Sequence, residues 1–439
     1  MVSSQPGARG VVIAAPSSGA GKTLLTLGLL RAFARSGVRV ASAKVGPDYI
    51  DPRFHEAASG RAALNLDNWA MRTGLVRELA CMAAADADFL VAEGVMGLFD
   101  GAATGEGSTA DFAATLGLPV ILIVDAHAQA QSAAAVVKGF AEFRDDCDVA
   151  GVIFNRVGSA SHAAILREAI APLGIDVVGA VPSVAEIDMP SRHLGLVQAE
   201  EHRELDALLE RAGDMVASGV DLEAVMGVAR KMPAAATRQK RLPPLGQTIA
   251  IAQDEAFAFA YPHLLSHWRQ AGAEIIPFSP LANEAPAGGA DAVYLPGGYP
   301  ELHAGRLAGN EVFRAGLRDA AKANALVYGE CGGFMTLGEY LIDAQGNRHT
   351  MAGLLPLGTS FADRQLHLGY RRLVQDDALP WPGELRGHEF HYSRLDWQGE
   401  AEPLFEAEDA RGEKLGQIGL RRDNVMGSYA HIIDMEEAA

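Results

Sequence analysis

The sequence predicts an α/β protein built from two doubly wound domains, and three observations carry that expectation. Short apolar runs alternate with helical stretches through roughly the first 230 residues, the pattern of strands in a parallel sheet with crossover helices. The same alternation restarts after residue 246. Between them lies KMPAAATRQKRLPPLG, rich in Ala, Pro and basic residues and poor in apolar periodicity, which reads as an interdomain linker. The expected division is residues 1–230, a linker at 231–246, and residues 247–439; at 439 residues the chain exceeds what one hydrophobic core usually serves.

Taken in order, VVIAA at 11–15 reads as a buried strand, and TLLTLGLLRAFARSG, from Thr23, as an amphipathic helix ending at Gly37. VRVASAKV, DFLVAEG, PVILIVD and VAGVIFNRV are further apolar runs bounded by turn residues, as a sheet covered on both faces requires. A charged helical stretch at 200–219 precedes the linker. In the second domain TIAIAQD, AEIIPFSP, AVYLPGG and ALVYGECGG read as strands.

Composition narrows the function. Apolar residues are 49% and charged residues 21%, ordinary for a globular chain. A formal charge of −18 argues against a nucleic-acid partner, which needs a concentrated basic face. No run approaches the ~20 apolar residues of a membrane span, and MVSSQPGARG lacks a signal peptide's layout, so the cytoplasm is the expected compartment. Three scattered cysteines, Cys81, Cys147 and Cys331, make neither a disulfide framework nor a zinc site.

APSSGAGKT, at 15–23, follows a strand and opens a helix. Its small residues Ser17, Ser18, Gly19, Ala20 and Gly21 let the backbone wrap a phosphate chain with N–H groups pointing inward. Lys22 is expected on the β/γ-phosphates of ATP and Thr23 on Mg²⁺, although Ala15 and Pro16 stand where a first glycine is usual. Magnesium takes one or two carboxylates besides phosphate oxygens. Asp48 in KVGPDYIDP and Glu93 in VAEGVMGLFDG stand at the C-terminal ends of strands, where parallel sheets gather ligands. Asp51 and Asp100 are further acids within reach, and Asn155 is positioned either to read a base or to cap the next helix.

Together APSSGAGKT, AKVGPDYIDP and VAEGVMGLFDG resemble the dethiobiotin-synthetase-like ligase domain of cobyrinate and hydrogenobyrinate a,c-diamide synthases. The resemblance implies that ATP activates a carboxylate as an acyl phosphate, which ammonia converts to an amide. It also implies that Thr23, Asp48 and Glu93 surround Mg²⁺, with Asp51 and Asp100 near substrate or metal.

ALVYGECGGFMTLG places Cys331 at the tip of a strand–turn–helix elbow, which exposes a nucleophile, sets backbone N–H groups beside it and favours the thiolate. His431, in VMGSYAHIID, is the candidate base. Gly297 and Gly298, in YLPGGYPE, are candidate oxyanion donors. GHEFHYS has histidines three apart on a strand-like segment, which suits a pocket wall better than a helical zinc motif.

LPGGYPE, YGECGGFM and GSYAH resemble class I glutamine amidotransferase domains of the cobyrinate and cobyric acid synthase type. That resemblance implies that Cys331 attacks the glutamine carboxamide and His431 carries the proton. The Glu that ordinary class I domains place two residues after the histidine is Ile433 here, a departure shared with the cobyrinate group, which leaves the orientation of His431 to some other group, with a backbone carbonyl as one choice. The implied partners are ATP, glutamine and hydrogenobyrinic or cobyrinic acid, with a homodimer or an internal tunnel as alternative ammonia routes. Arg192 and His193 match a family stretch and are candidates for substrate carboxylates. A nickel-sirohydrochlorin a,c-diamide synthase is the closest rival reading, and a P-loop switch or partitioning ATPase the rival of another class.

Overall fold

The computed structural model of the chain describes residues 7–183, 191–192, 195–196, 198–201, 204–233 and 237–436. It divides into two compact units, one of Met1–Trp69 and Thr73–Gln239, the other of Ala70–Arg72 and Lys240–Ala439.

The first unit is organised by an eight-stranded sheet. Seven strands are parallel, in the spatial order Leu64–Leu66, Val40–Val45, Phe89–Glu93, Arg9–Ala14, Val120–Asp125, Val149–Val157 and Asp176–Pro182. The strand Arg9–Ala14 is central because RGVVIA is apolar on both faces; Val11, Val12 and Ile13 are fully buried. The helix after it spans Lys22–Arg35 and stops at Ser36, with Gly37 at positive φ, as the sequence predicts to within two residues. The chain leaves Arg9–Ala14 for Val40–Val45, on the far side of Phe89–Glu93. The loops following these three strands are therefore neighbours, at the kind of strand-end crevice where α/β sheets bind ligands.

The segment read as a linker is not a bare tether. Arg230–Lys231 pairs antiparallel with the start of Arg9–Ala14, and Gln239 N–H donates to Glu78 in the same unit. From Lys240 onward the chain belongs to the second unit, where Leu242 and Leu245 are buried. There Trp268 and Trp381 donate indole N–H bonds to the carbonyls of Leu242 and Pro243. The two leucines explain why a Pro-rich segment packs.

The second unit has a six-stranded sheet whose strands Glu274–Phe278, Thr248–Ala252, Ala292–Leu295, Leu326–Glu330 and Val425–Ser428 are parallel and closed at one edge by antiparallel Leu420–Arg422. Beyond the predicted doubly wound core it carries a five-stranded antiparallel sheet that includes His367–Val374, Leu385–His391 and His431–Met435. GHEFH, at 387–391, is strand, and His388 pairs in register with His431. The chain crosses from the parallel to the antiparallel sheet between Ser428 and His431.

Candidate active sites

In the first unit, Gly21 is the N-cap of the Lys22–Arg35 helix, at φ 90°, with no side chain capping the helix. A Cβ at Gly21 would also fall 2.2 Å from Asn155 Nδ2, so both backbone and space demand glycine. Asn155 Nδ2 donates to the Ala20 carbonyl at 2.9 Å, while Ser159 caps the following helix. The amide thus braces the phosphate loop, and the helix-cap alternative for Asn155 does not hold. Ser17, Ser18 and Gly19 are exposed at the loop tip.

The loop after Glu93 packs on this one. Leu98 N–H donates to the Ala15 carbonyl at 2.9 Å, Asp100 accepts from Gly97 N–H at 3.0 Å, and Lys22 Nζ donates to the Met96 carbonyl at 2.7 Å. Burial holds the Lys22 ammonium below the usual lysine range. Asp100 therefore shapes a turn against the phosphate loop.

Behind the loop, four buried side chains form one charge network. The Thr23 hydroxyl donates to Glu93 Oε1 at 2.6 Å, and His55 Nε2 lies 2.7 Å from Glu93 Oε2. Lys44 Nζ meets Glu93 at 2.9 Å and Asp51 at 2.6 Å. Burial opposes charge on Glu93, but Lys44 and the bonds from His55 and Thr23 override it and hold the carboxyl well below its ordinary range. Burial also opposes charge on Lys44, and Asp51 and Glu93 override it in the same way. Burial and the neighbouring Asp48 push Asp51 up to about 6.

Asp48 Oδ1 accepts from the N–H groups of Ile50 and Asp51 at 2.8 and 2.9 Å, fixing the loop that opens the Asp51–Ser59 helix. Asn65 clamps the same loop through the carbonyls of Gly46 and Asp48. Among the described residues no group of three His, Cys, Asp or Glu side chains gathers to hold a metal. The donor set still fits Mg²⁺ with a nucleotide, because the Thr23 hydroxyl and the Glu93 carboxylate touch at the loop exit and phosphate oxygens supply the rest. Arg192 sits in a two-residue strand paired with Gly195–Leu196, its side chain outside the described residues; His193 lies outside them altogether.

In the second unit, Leu326–Glu330 runs into the Gly332–Leu337 helix through Cys331, whose φ of 47° and ψ of −104° make it the strained corner that the elbow reading requires. The thiol is not exposed, however: Cys331 is 2% accessible. Nor does the helix terminus make it a thiolate. Burial pushes the thiol up, the charges of Glu301 and Glu389 add to this, and the Gly332 N–H only partly opposes them. Ionisation therefore needs a base.

The candidate base, His431, lies across Gly297. A Cβ there would come within 2.3 Å of His431 Cε1 and 3.3 Å of Cys331 Cβ, so both side chains border one position that only glycine can occupy. A Cβ at Gly332 would approach Gly298 N to 3.0 Å, which places that N–H at the cysteine turn. Burial, with His388 and His391 nearby, lowers His431 to about 3, so the ring rests neutral and able to accept a proton. A cavity of about 520 Å³ is lined by Phe334, three residues after Cys331, and Tyr429, two before His431, with His367, Glu389 and His391 among others; Cys331 and His431 do not themselves line it. Glu389 is held by Arg371 and His391 at 2.7 and 2.9 Å. Tyr429 stacks on His391 with ring centres 3.9 Å apart.

Sequence reasoning missed Lys44, His55 and Glu330. A lysine inside the apolar strand VASAKV is the signal for the first, because a buried ammonium demands acidic partners. For Glu330 the signal is a carboxylate in a buried strand directly before the cysteine. His55, in DPRFHEA, carries no comparable local mark.

Residues 11–197 match the CobQ/CobB/MinD/ParA nucleotide binding domain, and residues 248–438 match the CobB/CobQ-like glutamine amidotransferase domain. Along its length the chain is similar to proteins named hydrogenobyrinate a,c-diamide synthase. It is 54% identical to that of Brucella suis biovar 1 (strain 1330) over 98% of this chain and all of the relative. It is 55% identical to that of Rhizobium meliloti (strain 1021), again over 98% of this chain and all of the relative. The protein of that name from Mesorhizobium japonicum is 51% identical, over 97% of this chain and 98% of the relative.

Proposed function

Because the chain belongs to the hydrogenobyrinate a,c-diamide synthase family, we propose that it amidates the a and c carboxylates of hydrogenobyrinic acid in cobalamin biosynthesis, using ATP and glutamine. The observation that carries this reading is that Cys331 and His431 both border Gly297, in a chain whose other unit holds the Thr23–Glu93 pair behind a phosphate loop.

In the glutaminase half, glutamine occupies the cavity beside Tyr429 and Glu389. His431 takes the Cys331 proton, the sulfur attacks the carboxamide carbon, and N–H groups at Gly298 and Gly332 stabilise the oxyanion. Collapse of the tetrahedral adduct gives a thioester and expels ammonia, which leaves with the proton from His431. Water then releases glutamate and restores the thiol.

In the ligase half, backbone N–H groups of residues 18–22 hold the phosphates and Lys22 turns from Met96 to the β/γ-phosphates. Thr23, Asp48 and Glu93 would hold Mg²⁺, with Asp51 nearby, and the ion would supply charge neutralisation on the triphosphate. The substrate carboxylate attacks the γ-phosphorus, giving an acyl phosphate and ADP; ammonia then displaces phosphate and forms the amide. Asp100 keeps the loop at 94–100 against the phosphates, and Arg192 and His193 serve the acceptor's carboxylates. The enzyme works in the cytoplasm, without a nucleic-acid partner; no described helix is long and apolar enough to cross a membrane.

The test is to incubate the protein with Mg-ATP, glutamine and hydrogenobyrinic acid and follow acceptor mass, which drops by about one dalton for each carboxyl amidated. Two such drops are expected. No change with this acceptor, but amidation of cobyrinic acid or nickel-sirohydrochlorin, would reassign the substrate; no amidation of any of them would contradict the reading.

A further inference from the structure

A histidine that accepts a proton at Nε2 works efficiently only when its other nitrogen is held in one tautomer and the imidazolium has a counter-charge. Ile433, two residues after His431, has no group to offer, and its carbonyl already accepts from His263 at 2.9 Å. Glu389 is committed to Arg371 and His391.

Glu330 is placed differently. Its Oε2 lies 3.8 Å from His431 Nδ1, with both side chains sealed from solvent. The carboxylate cannot swing away, because three donors fix it: the Tyr294 hydroxyl at 2.8 Å, the Tyr328 hydroxyl at 3.0 Å and the Ile432 N–H at 3.1 Å. The last belongs to the residue after the base, so the carboxylate anchors the backbone of His431 as well as facing its ring. Through its own backbone Glu330 precedes Cys331, the strained corner of the elbow. One residue thus ties the strand that delivers the nucleophile to the strand that delivers the base. Its strand partner in register is Ser428, where the chain begins its crossing toward His431.

We propose that Glu330 is the positioning residue of the glutaminase site, facing His431 Nδ1 as its counter-charge and fixing its backbone through the Ile432 N–H while Cys331 is deprotonated. It does not touch glutamine; it acts through the histidine. The step is a proton transfer from Cys331 Sγ to His431 Nε2, with Glu330 balancing the resulting imidazolium and no further reactant. This inference rests on Cys331 and His431 being the glutaminase pair.

The test uses the full chain with Glu330→Gln, which keeps the volume and an oxygen for the Ile432 N–H. Glutamine-driven kcat is expected to fall about 10²-fold, with KM for glutamine and ammonia-driven amidation unchanged. Alkylation of Cys331 by a diazoketone analogue of glutamine should slow in parallel. Wild-type kcat with glutamine in this variant would overturn the proposal, and so would equal losses with glutamine and ammonia accompanied by a lower Tm, which mark a structural role. Should Glu330→Gln fail to fold, Tyr294→Phe frees the carboxylate on one side: a several-fold drop in the glutamine-to-ammonia rate ratio supports the proposal, and an unchanged ratio overturns it. Cys331→Ala run beside them separates the two levels, since glutamine use by that variant would remove the glutaminase reading itself.

Discussion

At the phosphate site, buried Lys44 is ion-paired with Asp51 and Glu93, and His55 lies against Glu93, whereas at the cysteine site burial holds Cys331 as a thiol and His431 as a neutral ring and pushes the Glu330 carboxyl up. The difference follows from what each site receives. A triphosphate and its metal arrive fully charged, so a site built from fixed charges and loop N–H groups is ready for them. Glutamine arrives with a neutral carboxamide, and charge must be created there by moving one proton over a short distance. A neutral, buried pair leaves the resting thiol un-ionised.

The contrast can be broken first at Lys22. Lys22→Ala should lower amidation about 10³-fold with glutamine and ammonia alike, read by product formation with each donor. A loss confined to glutamine would contradict the separation of the sites. Next comes Lys44→Met, which leaves Glu93 and Asp51 buried without their shared cation and should cost about 3–5 kcal/mol in the first unit, measured by urea unfolding. Little change there would mean that the network is not what stabilises the carboxylates.

Gly297→Ala drives a methyl into His431 and should cut the glutamine-driven rate about 10²-fold while ammonia-driven amidation stays; wild-type glutamine turnover would displace Gly297 from the site. The smallest effect sharpens the comparison through pH. Glu330 is pushed up to about 7, chiefly by burial, among Tyr294, Tyr328, Cys331 and His431. The folded state therefore holds that proton more tightly than the unfolded chain, and the stability it contributes is lost as pH rises from about 4 to about 7. Glu93 is held low, so its contribution is present above the unfolded value near 4 and lost as pH falls further. Stability measured against pH should fall less steeply above pH 5 in Glu330→Gln and less steeply below pH 4 in Glu93→Gln, with Asp51 and Glu389 supplying what slope is left in each window; unchanged slopes would contradict the charge states described here.

What the sequence made legible was local. APSSGAGKT and YGECGGF announce themselves because a phosphate loop and an elbow are backbone shapes that only short runs of small residues permit. The parallel cores were legible from unbroken apolar strands such as RGVVIA. The antiparallel sheet bearing His431 was not, since strands such as HLGYRRLV are half-buried and Leu385–His391 pairs with His431–Met435 far along the chain. The same reason hid the wiring of both sites. Lys44 meets Glu93 across 49 residues, and Glu330 meets Ile432 across 102. Burial also reversed one expectation: the elbow that should expose a thiolate encloses a thiol. Asn155 likewise serves the loop's own carbonyl, a role that shows only once the strand and loop are side by side.

The claim that one chain runs two separable chemistries is tested most directly by the Cys331→Ala enzyme, supplied with Mg-ATP and hydrogenobyrinic acid and given either glutamine or ammonium salt. Amidation is predicted to vanish with glutamine and to proceed at close to the wild-type ammonia rate with ammonium. Failure of ammonium to restore it, or persistence of glutamine-driven amidation, would contradict the account.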